Sequence, residues 1–271
     1  MIISSREFDV NDHTYIFGIL NVTQDSFSDG GKFCNLEAAL KRADEMIAEG
    51  VDIIDVGGES TRPGFTPISA HMEIEAVVPV IEAIKKKYDV IVSLDTRKAE
   101  VARAGIKAGV DIINDVDGLK GDPEMASVIA KSGCSCVIMH NRENNNYVNL
   151  IDDIIKDLKG SLYIAECAGI ERDKIIIDPG IGFAKDTAQN LEVLRNLDRF
   201  NELKLPIMLA HSRKSVIGNT LNLPVDQRLE GTLALTALAV MHRYAFVRVH
   251  DIRENRRVIE MLEAVYGRDK S

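Results

Sequence analysis

Eight short apolar runs, each followed by a stretch with helical spacing, recur along this chain and leave few folds open to it. The runs cover residues 15–20, 51–56, 90–94, 110–113, 134–139, 175–177, 205–210 and 245–249. Several are apolar without alternation, which suits strands buried on both faces. The sixth sets the pattern, reading K-I-I-I-D-P-G-I-G-F from Lys174 to Phe183. Three isoleucines stop at Asp178, and Gly180 and Gly182 let backbone approach a ligand. Regular alternation implies parallel strands, and eight units favour closure into a (β/α)8 TIM barrel over an open sheet. No G-x-G-x-x-G follows the first run, which weakens a dinucleotide-binding reading.

The intervening stretches predict helices. Asn35 can cap one whose Leu36, Ala39, Leu40, Ala43, Met46 and Ile47 share a face, with Gly50 as the stop. Further helices are expected over 69–87, where Pro79 can introduce a kink, and from Thr96 to Ala108. Asp122-Pro123 opens another, 147–168 forms the next, and Asp186 with Gln189 makes a capping box. The last two start at Asp226 and at Asp251 with Glu254. Residues 1–12 precede the first run as a short strand or hairpin. All 271 residues are therefore read as one domain, close to the about 250 residues of an α/β barrel. Two polar loops, following Asn21 and following Val56, are longer than most connections.

Hydrophobic residues at 45% and charged residues at 28% argue against disorder. A net charge of −9 argues against a nucleic-acid surface, although a local basic pocket survives in an acidic protein. Cys34, Cys134, Cys136 and Cys167 form no C-x-x-C pair and no zinc spacing, so reduced thiols are expected. No run reaches the ~20 apolar residues of a membrane span, and the start M-I-I-S-S-R-E lacks a signal peptide's apolar core. A cytoplasmic enzyme is expected.

Polar residues with chemical reach fall at nearly every strand end: Asn21, Asp55, Asp95, Asn114, His140, Asp178, the segment 212–215, and Arg248 with His250. Each alone reads equally as a turn or cap residue. In a closed barrel, however, these ends meet at one mouth. Asp95, Asn114 and Asp178 supply hydrogen-bonding groups for a planar, amino-substituted heterocycle. Lys214, Arg248 and His250 supply positive charge for an anion, with Ser212 and Ser215 as donors beside it. Alternation in R-V-H puts Arg248 and His250 on the same face. Other groups carry blander expectations. Lys85, Lys86 and Lys87 read as a solvated helix end, His71 as exposed, and His13 and His242 have no partner pattern. Asp55 and Glu59 read as loop-holding, and His140 as a mouth or turn residue.

These segments resemble those of the dihydropteroate synthase family. The stretches are G-I-L-N-V-T-Q-D-S-F-S-D-G-G from Gly18, D-V-G-G-E-S-T-R-P-G from Asp55, S-L-D-T at Ser93, I-N-D-V at Ile113, D-P-G-I-G-F at Asp178, S-R-K-S at Ser212 and R-V-H-D at Arg248. The resemblance implies a pterin-binding barrel that condenses 6-hydroxymethyl-7,8-dihydropterin diphosphate with 4-aminobenzoate in folate synthesis. It assigns the pterin to Asp95, Asn114, Asp178 and Lys214, and the diphosphate to Thr61, Arg248 and His250. Asn21 falls near diphosphate-bound Mg2+. Arg62, Pro63, Phe183, Lys214 and Ser215 shape the aminobenzoate site, and Asp95, Lys214, Arg248 and His250 carry the chemistry. A homodimer and sulfonamide targeting are implied with it. Three positions depart from the family pattern: Gln24 stands at a usual proline, Ala184 at a common glycine, and Ala210-His211 where small residues are usual. The rival readings are a methyltransferase passing a methyl group from a reduced folate to a corrinoid, an aldolase-type barrel using Lys98 or Lys214, and a non-catalytic pterin-binding protein.

Overall fold

The computed structural model describes residues 1–22, 31–59 and 67–268, the side chains of 31–35 excepted. A two-stranded antiparallel hairpin, β1 (Ile2–Ile3) and β2 (Arg6–Glu7), comes first. The alternating units follow as β3 (Tyr15–Asn21), α1 (Gly31–Ala48), β4 (Ile53–Gly57), α2 (Ala70–Lys87), β5 (Ile91–Asp95), α3 (Ala99–Ala108), β6 (Ile112–Asp115) and α4 (Met125–Ser132). The second half continues with β7 (Ser135–Met139), α5 (Leu150–Ala168), β8 (Ile175–Asp178), α6 (Thr187–Arg195), β9 (Met208–Ala210), α7 (Ser215–Leu221), α8 (Leu229–Met241), β10 (Phe246–Val249) and α9 (Ile252–Val265).

The eight strands β3–β10 are parallel, in the order β8-β7-β6-β5-β4-β3-β10-β9. The ring closes between β8 and β9 through one bridge, Ile177 opposite Ile207, where Ile177 N–H donates to the Pro206 carbonyl at 3.0 Å. This is the expected (β/α)8 barrel with its hairpin extension.

Strand alternation sorts the core into two. Outward-facing Ile16, Ile54, Val92, Ile113, Ile138, Ile177 and Val247 pack beneath the helices. Inward-facing Tyr15, Phe17, Ile53, Ile91, Ile112, Val137, Ile176, Met208 and Phe246 fill the barrel, joined by Ile3 and Phe8 of the hairpin. The hairpin thus plugs the amino-terminal end, where Phe8 meets Tyr15 edge-on at 4.8 Å and Phe17 meets Phe246 at 5.4 Å.

Several local expectations shift. Strands β4, β5 and β6 run one or two residues past the apolar runs, because a ladder bonds the backbone of Asp95 or Asp115 as well as that of leucine. Helix α1 begins at Gly31, so Asn35 lies inside it. Ser69 caps α2 and the Asp186/Gln189 box caps α6, as expected, and α2 runs through Pro79 as one helix. Thr96, Asp122 and Asp251 have other partners. The Thr96 hydroxyl donates to Glu73, the Asp122 carboxylate receives the Ala99 N–H, and Asp251 pairs with Arg213. Asn149 caps α5, and a 3-10 turn over Val225–Gln227 precedes α8 in place of a start at Asp226. Helix α7, seven residues long, is an addition to the expected helices. His13 and His242 do have partners, Glu263 and Asp198.

Candidate active site

The mouth is the same alternation carried further up each strand. Inward positions pass from Ile53 to Asp55, from Ile91 to Ser93 and Asp95, from Ile112 to Asn114, from Ile176 to Asp178, and from Phe246 to Arg248. Register lines up Asn21, Gly57, Asp95 and Asn114 across β3 to β6. Gly57 leaves the space between two of them. A side chain there would lie 3.6 Å from Asn21 Oδ1 and 3.8 Å from Asp95 Oδ2.

Arg248 ties the floor together. Its Nε donates to Asp55 Oδ2 and its Nη2 to Asp95 Oδ2, both at 2.6 Å, while Asn114 Nδ2 donates to Asp55 Oδ2 at 3.3 Å. Two buried carboxylates therefore share one guanidinium. Among the described residues three carboxylate oxygens are buried with no partner: Asp55 Oδ1, Asp95 Oδ1 and Asp178 Oδ2. Orphaned acceptors of this kind are expensive to keep in a protein interior unless a ligand completes them. Burial pushes the Asp95 carboxyl up to about 7, Arg248 pulling it down and Asp55 adding to the rise. Burial also raises Asp178. It lowers Lys214 to about 8, with Asp178 opposing. Burial works against the Arg248 charge too, yet Asp55 and Asp95 hold its pKa above the ordinary value.

The wall is the turn after β8. Asp178 Oδ1 accepts the Gly180 N–H at 2.7 Å, and Lys214 Nζ donates to the Ile181 carbonyl at 2.5 Å while lying 4.8 Å from the Phe183 ring centroid. Next to it, after β9, Ser212 Oγ sits 2.9 Å from His250 Nδ1 and accepts the His250 N–H at 3.2 Å. Ser215, first residue of α7, is exposed beside them.

The structure thus gathers Asn21, Asp95, Asn114, Asp178, Phe183, Lys214, Ser215, Arg248 and His250 at one end of the barrel. Thr61, Arg62, Pro63 and Gln24 lie outside the described residues. Asp55 is corrected from loop holder to floor. It is wholly buried and inward-facing, and its place two residues after Ile53 was the signal. Glu59 does hold its loop, accepting from Ile68 N–H, Arg97 and Lys98. His211 neither crowds the mouth nor offers a proton-active group, being a core residue whose ring contacts Leu209, Thr232 and Thr236. Burial drives its pKa down to about 4. Ala184 adopts φ 47°, so the glycine conformation persists without glycine. Among the described residues no three His, Cys, Asp or Glu side chains group to hold a metal. One exposed amide oxygen, on Asn21, fits a cation that arrives with phosphate oxygens already bound.

A family described as pterin binding enzyme matches residues 17–250. The chain is 53% identical to a dihydropteroate synthase of Clostridium beijerinckii over 99% of this chain and 100% of that one. It is 49% identical to the Bacillus subtilis dihydropteroate synthase over 94% and 90%. Among solved structures, a Clostridium difficile dihydropteroate synthase crystallised with pteroic acid superposes with a TM-score of 0.93 at 48% identity, covering 96% and 99%. A Xanthomonas albilineans dihydropteroate synthase with 4-aminobenzoic acid gives 0.90 at 37%, covering 94% of each chain. A Yersinia pestis dihydropteroate synthase with a sulfonamide drug gives 0.92 at 36%, covering 98% and 99%.

Proposed function

Because this chain belongs to the pterin binding enzyme family, and within it to the dihydropteroate synthases, we propose a role for each residue at its mouth. The enzyme is the folate-synthesis transferase that joins 6-hydroxymethyl-7,8-dihydropterin diphosphate to 4-aminobenzoate. One C–O bond breaks, one C–N bond forms, diphosphate leaves and the amine gives up a proton.

Asp178 Oδ2, Asp95 Oδ1 and the Asn114 amide receive the edge of the pterin, because two of these oxygens are buried without partners and face ring N–H groups well. Lys214 closes the other edge from a cation position already beside Asp178. As diphosphate departs, positive charge grows on the pterin methylene carbon, and Asp95 is the carboxylate that stabilises it. Arg248 and His250, with Thr61, take the leaving anion. Ligand entry would draw the guanidinium off one of its two carboxylates. Asn21 would hold Mg2+, which when bound would neutralise diphosphate charge. Phe183, Lys214 and Ser215, with Arg62 and Pro63, shape the aminobenzoate site.

We further propose a cytoplasmic homodimer. The free thiols Cys134, Cys136 and Cys167 suit a reducing compartment. Helix α8 is apolar on nearly all sides, and its outward Ala234 and Met241 lie exposed beside Met261 and Val265 of α9, a face suited to a second copy. Among the described residues no helix is long and apolar enough to cross a membrane.

The observation that carries the site assignment is the set of partnerless buried carboxylate oxygens at a single mouth. Purified protein given pterin diphosphate, 4-aminobenzoate and Mg2+ should release dihydropteroate and diphosphate in equal amounts. Asp178→Ala should lower pterin affinity by about ten- to a hundredfold in calorimetry, the loss of a charge-assisted bond. Near-normal affinity would refute the assignment.

A further inference from the structure

The turn after β8 is pinned by side chains. Six of its carbonyls accept from side chains: Gly180 at 2.9 Å and Phe183 at 3.0 Å from Lys185 Nζ, Ile181 from Lys214, Ala184 from the Tyr147 hydroxyl, and Lys185 and Asp186 from Asn190 Nδ2. Gly180, Gly182 and Ala184 all have positive φ, a path that local backbone preference does not hold by itself. The Cβ of any other residue at 180 would collide with the His140 carbonyl, so the turn lies directly on the end of β7.

Lys185 is the centre of this arrangement. Its ammonium has three hydrogens and three acceptors: the Gly180 and Phe183 carbonyls and His140 Nδ1 at 3.0 Å. A ring nitrogen that accepts there carries no hydrogen, so the hydrogen sits on Nε2, which faces Asp157 Oδ2 at 3.1 Å. Arg142 holds that same carboxylate oxygen. With Lys185 charged, the contacts are therefore consistent throughout: His140 neutral and Asp157 ionised. With all three hydrogens committed, Lys185 has none for a substrate. Both sides of Gly180 are held, its N–H on Asp178 and its carbonyl on Lys185.

We propose that Lys185 is a positioning residue of the reaction: its ammonium, oriented through His140 by Asp157, holds the turn that aims Asp178 at the pterin and sets Phe183 at the aminobenzoate. This rests on the assignment of Asp178 and Phe183 to the two substrates. The arrangement is sensitive to pH. Burial lowers the Lys185 pKa to about 7, Asp178 on β8 and Asp157 on α5 resist that, and Lys214 before α7 and Arg142 after β7 add to it. Burial and the neighbouring Lys185 push His140 down to about 3, so it stays neutral throughout. Rising pH therefore removes the ammonium proton, and with it one tie on the turn.

Lys185→Met keeps the stem and removes every donor. Its Kd for a diphosphate-free pterin and its KM for 4-aminobenzoate should each rise about tenfold, as expected for lost bonds to a charged group, with kcat at saturation changing less. Lys185→Arg, which keeps the charge, should recover part of the loss. Asp157→Asn keeps the side-chain shape and replaces no residue assigned to a substrate. Removing its charge should move the alkaline loss of pterin affinity to lower pH. Wild-type pterin affinity and aminobenzoate KM in folded Lys185→Met would overturn the proposal, as would an unshifted pH profile for Asp157→Asn if the methionine variant does not fold. Asp178→Asn in the same calorimeter separates the two levels, because retained pterin affinity there would overturn the site assignment itself.

Discussion

The two ends of the barrel interior stand on the same strands and the same alternation, yet they meet opposite demands. At the amino-terminal end Tyr15, Phe17, Phe246, Ile53 and Ile176 are buried against one another and against Phe8 of the hairpin. Two residues further along, the inward positions are Asp55, Asp178 and Arg248. One end removes apolar surface from water, which is where barrel stability is gained. The other buries carboxylates that share a cation and leaves three oxygens without partners. Binding capacity is stored there at the expense of stability, and the lower end supplies the margin. A mutation should therefore affect folding at one end and function at the other.

The sharpest test is to empty the lower end. Phe246 is fully buried and packs on Phe8, Tyr15 and Phe17. Phe246→Ala should destabilise the chain by about 3–5 kcal/mol in denaturant titration, the usual range for deleting a buried aromatic ring. The kcat of the folded fraction should stay near wild type. A large loss of kcat with unchanged stability would collapse the distinction between the ends.

Arg248→Met probes the upper end, where the deficit should depend on pH. Removing the guanidinium leaves Asp55 and Asp95 buried without their cation, a change worth about 3–5 kcal/mol when both are charged. Protonation of Asp95, whose carboxyl burial raises to about 7, relieves it. Stability should therefore fall relative to wild type as pH rises from 5 to 8 and recover on acidification. A deficit of the same size at both pH values would show that Arg248 acts through packing alone. Pterin and diphosphate affinity should both fall, since one side chain anchors the pterin carboxylate Asp95 and faces the leaving group.

What the sequence made legible follows the same physics. The strands were readable because a buried parallel strand needs a continuous β-branched run, and the mouth because strand parity carries each inward position to a polar residue. Helix starts were less readable, since a Thr or Asp that can cap can also bond elsewhere. Thr96 reaches Glu73 and Asp251 reaches Arg213, partners distant in sequence. Helix α7 is too short and too glycine- and asparagine-containing to show a stripe. Asp55 was legible as a strand-end residue, and counting two from Ile53 places it on the floor of the mouth rather than in a loop. Lys185 could not, because its three acceptors come from two different elements that only the fold brings together. Thr61, Arg62 and Pro63 lie outside the described residues, so their assignment stands on resemblance alone.

Asp95 makes the finest distinction between the ends, because its charge serves the reaction while opposing the fold. In the unfolded chain its carboxyl titrates near 3.8, whereas burial in the folded state raises it to about 7. Between those values folding takes up a proton. Stability attributable to Asp95 therefore falls as pH rises through that window and stays low above it. Asp95→Asn keeps the shape and removes the charge, leaving Arg248 paired with Asp55. The variant should match wild type near pH 4 and melt at a slightly higher temperature at pH 8. Its kcat should drop by about 10²–10³, the range for losing a preorganised group that faces developing charge. Thermal scans at the two pH values decide the matter: a variant that melts lower than wild type at pH 8 would mean that the pair with Arg248 outweighs burial, and that the mouth stabilises this barrel after all.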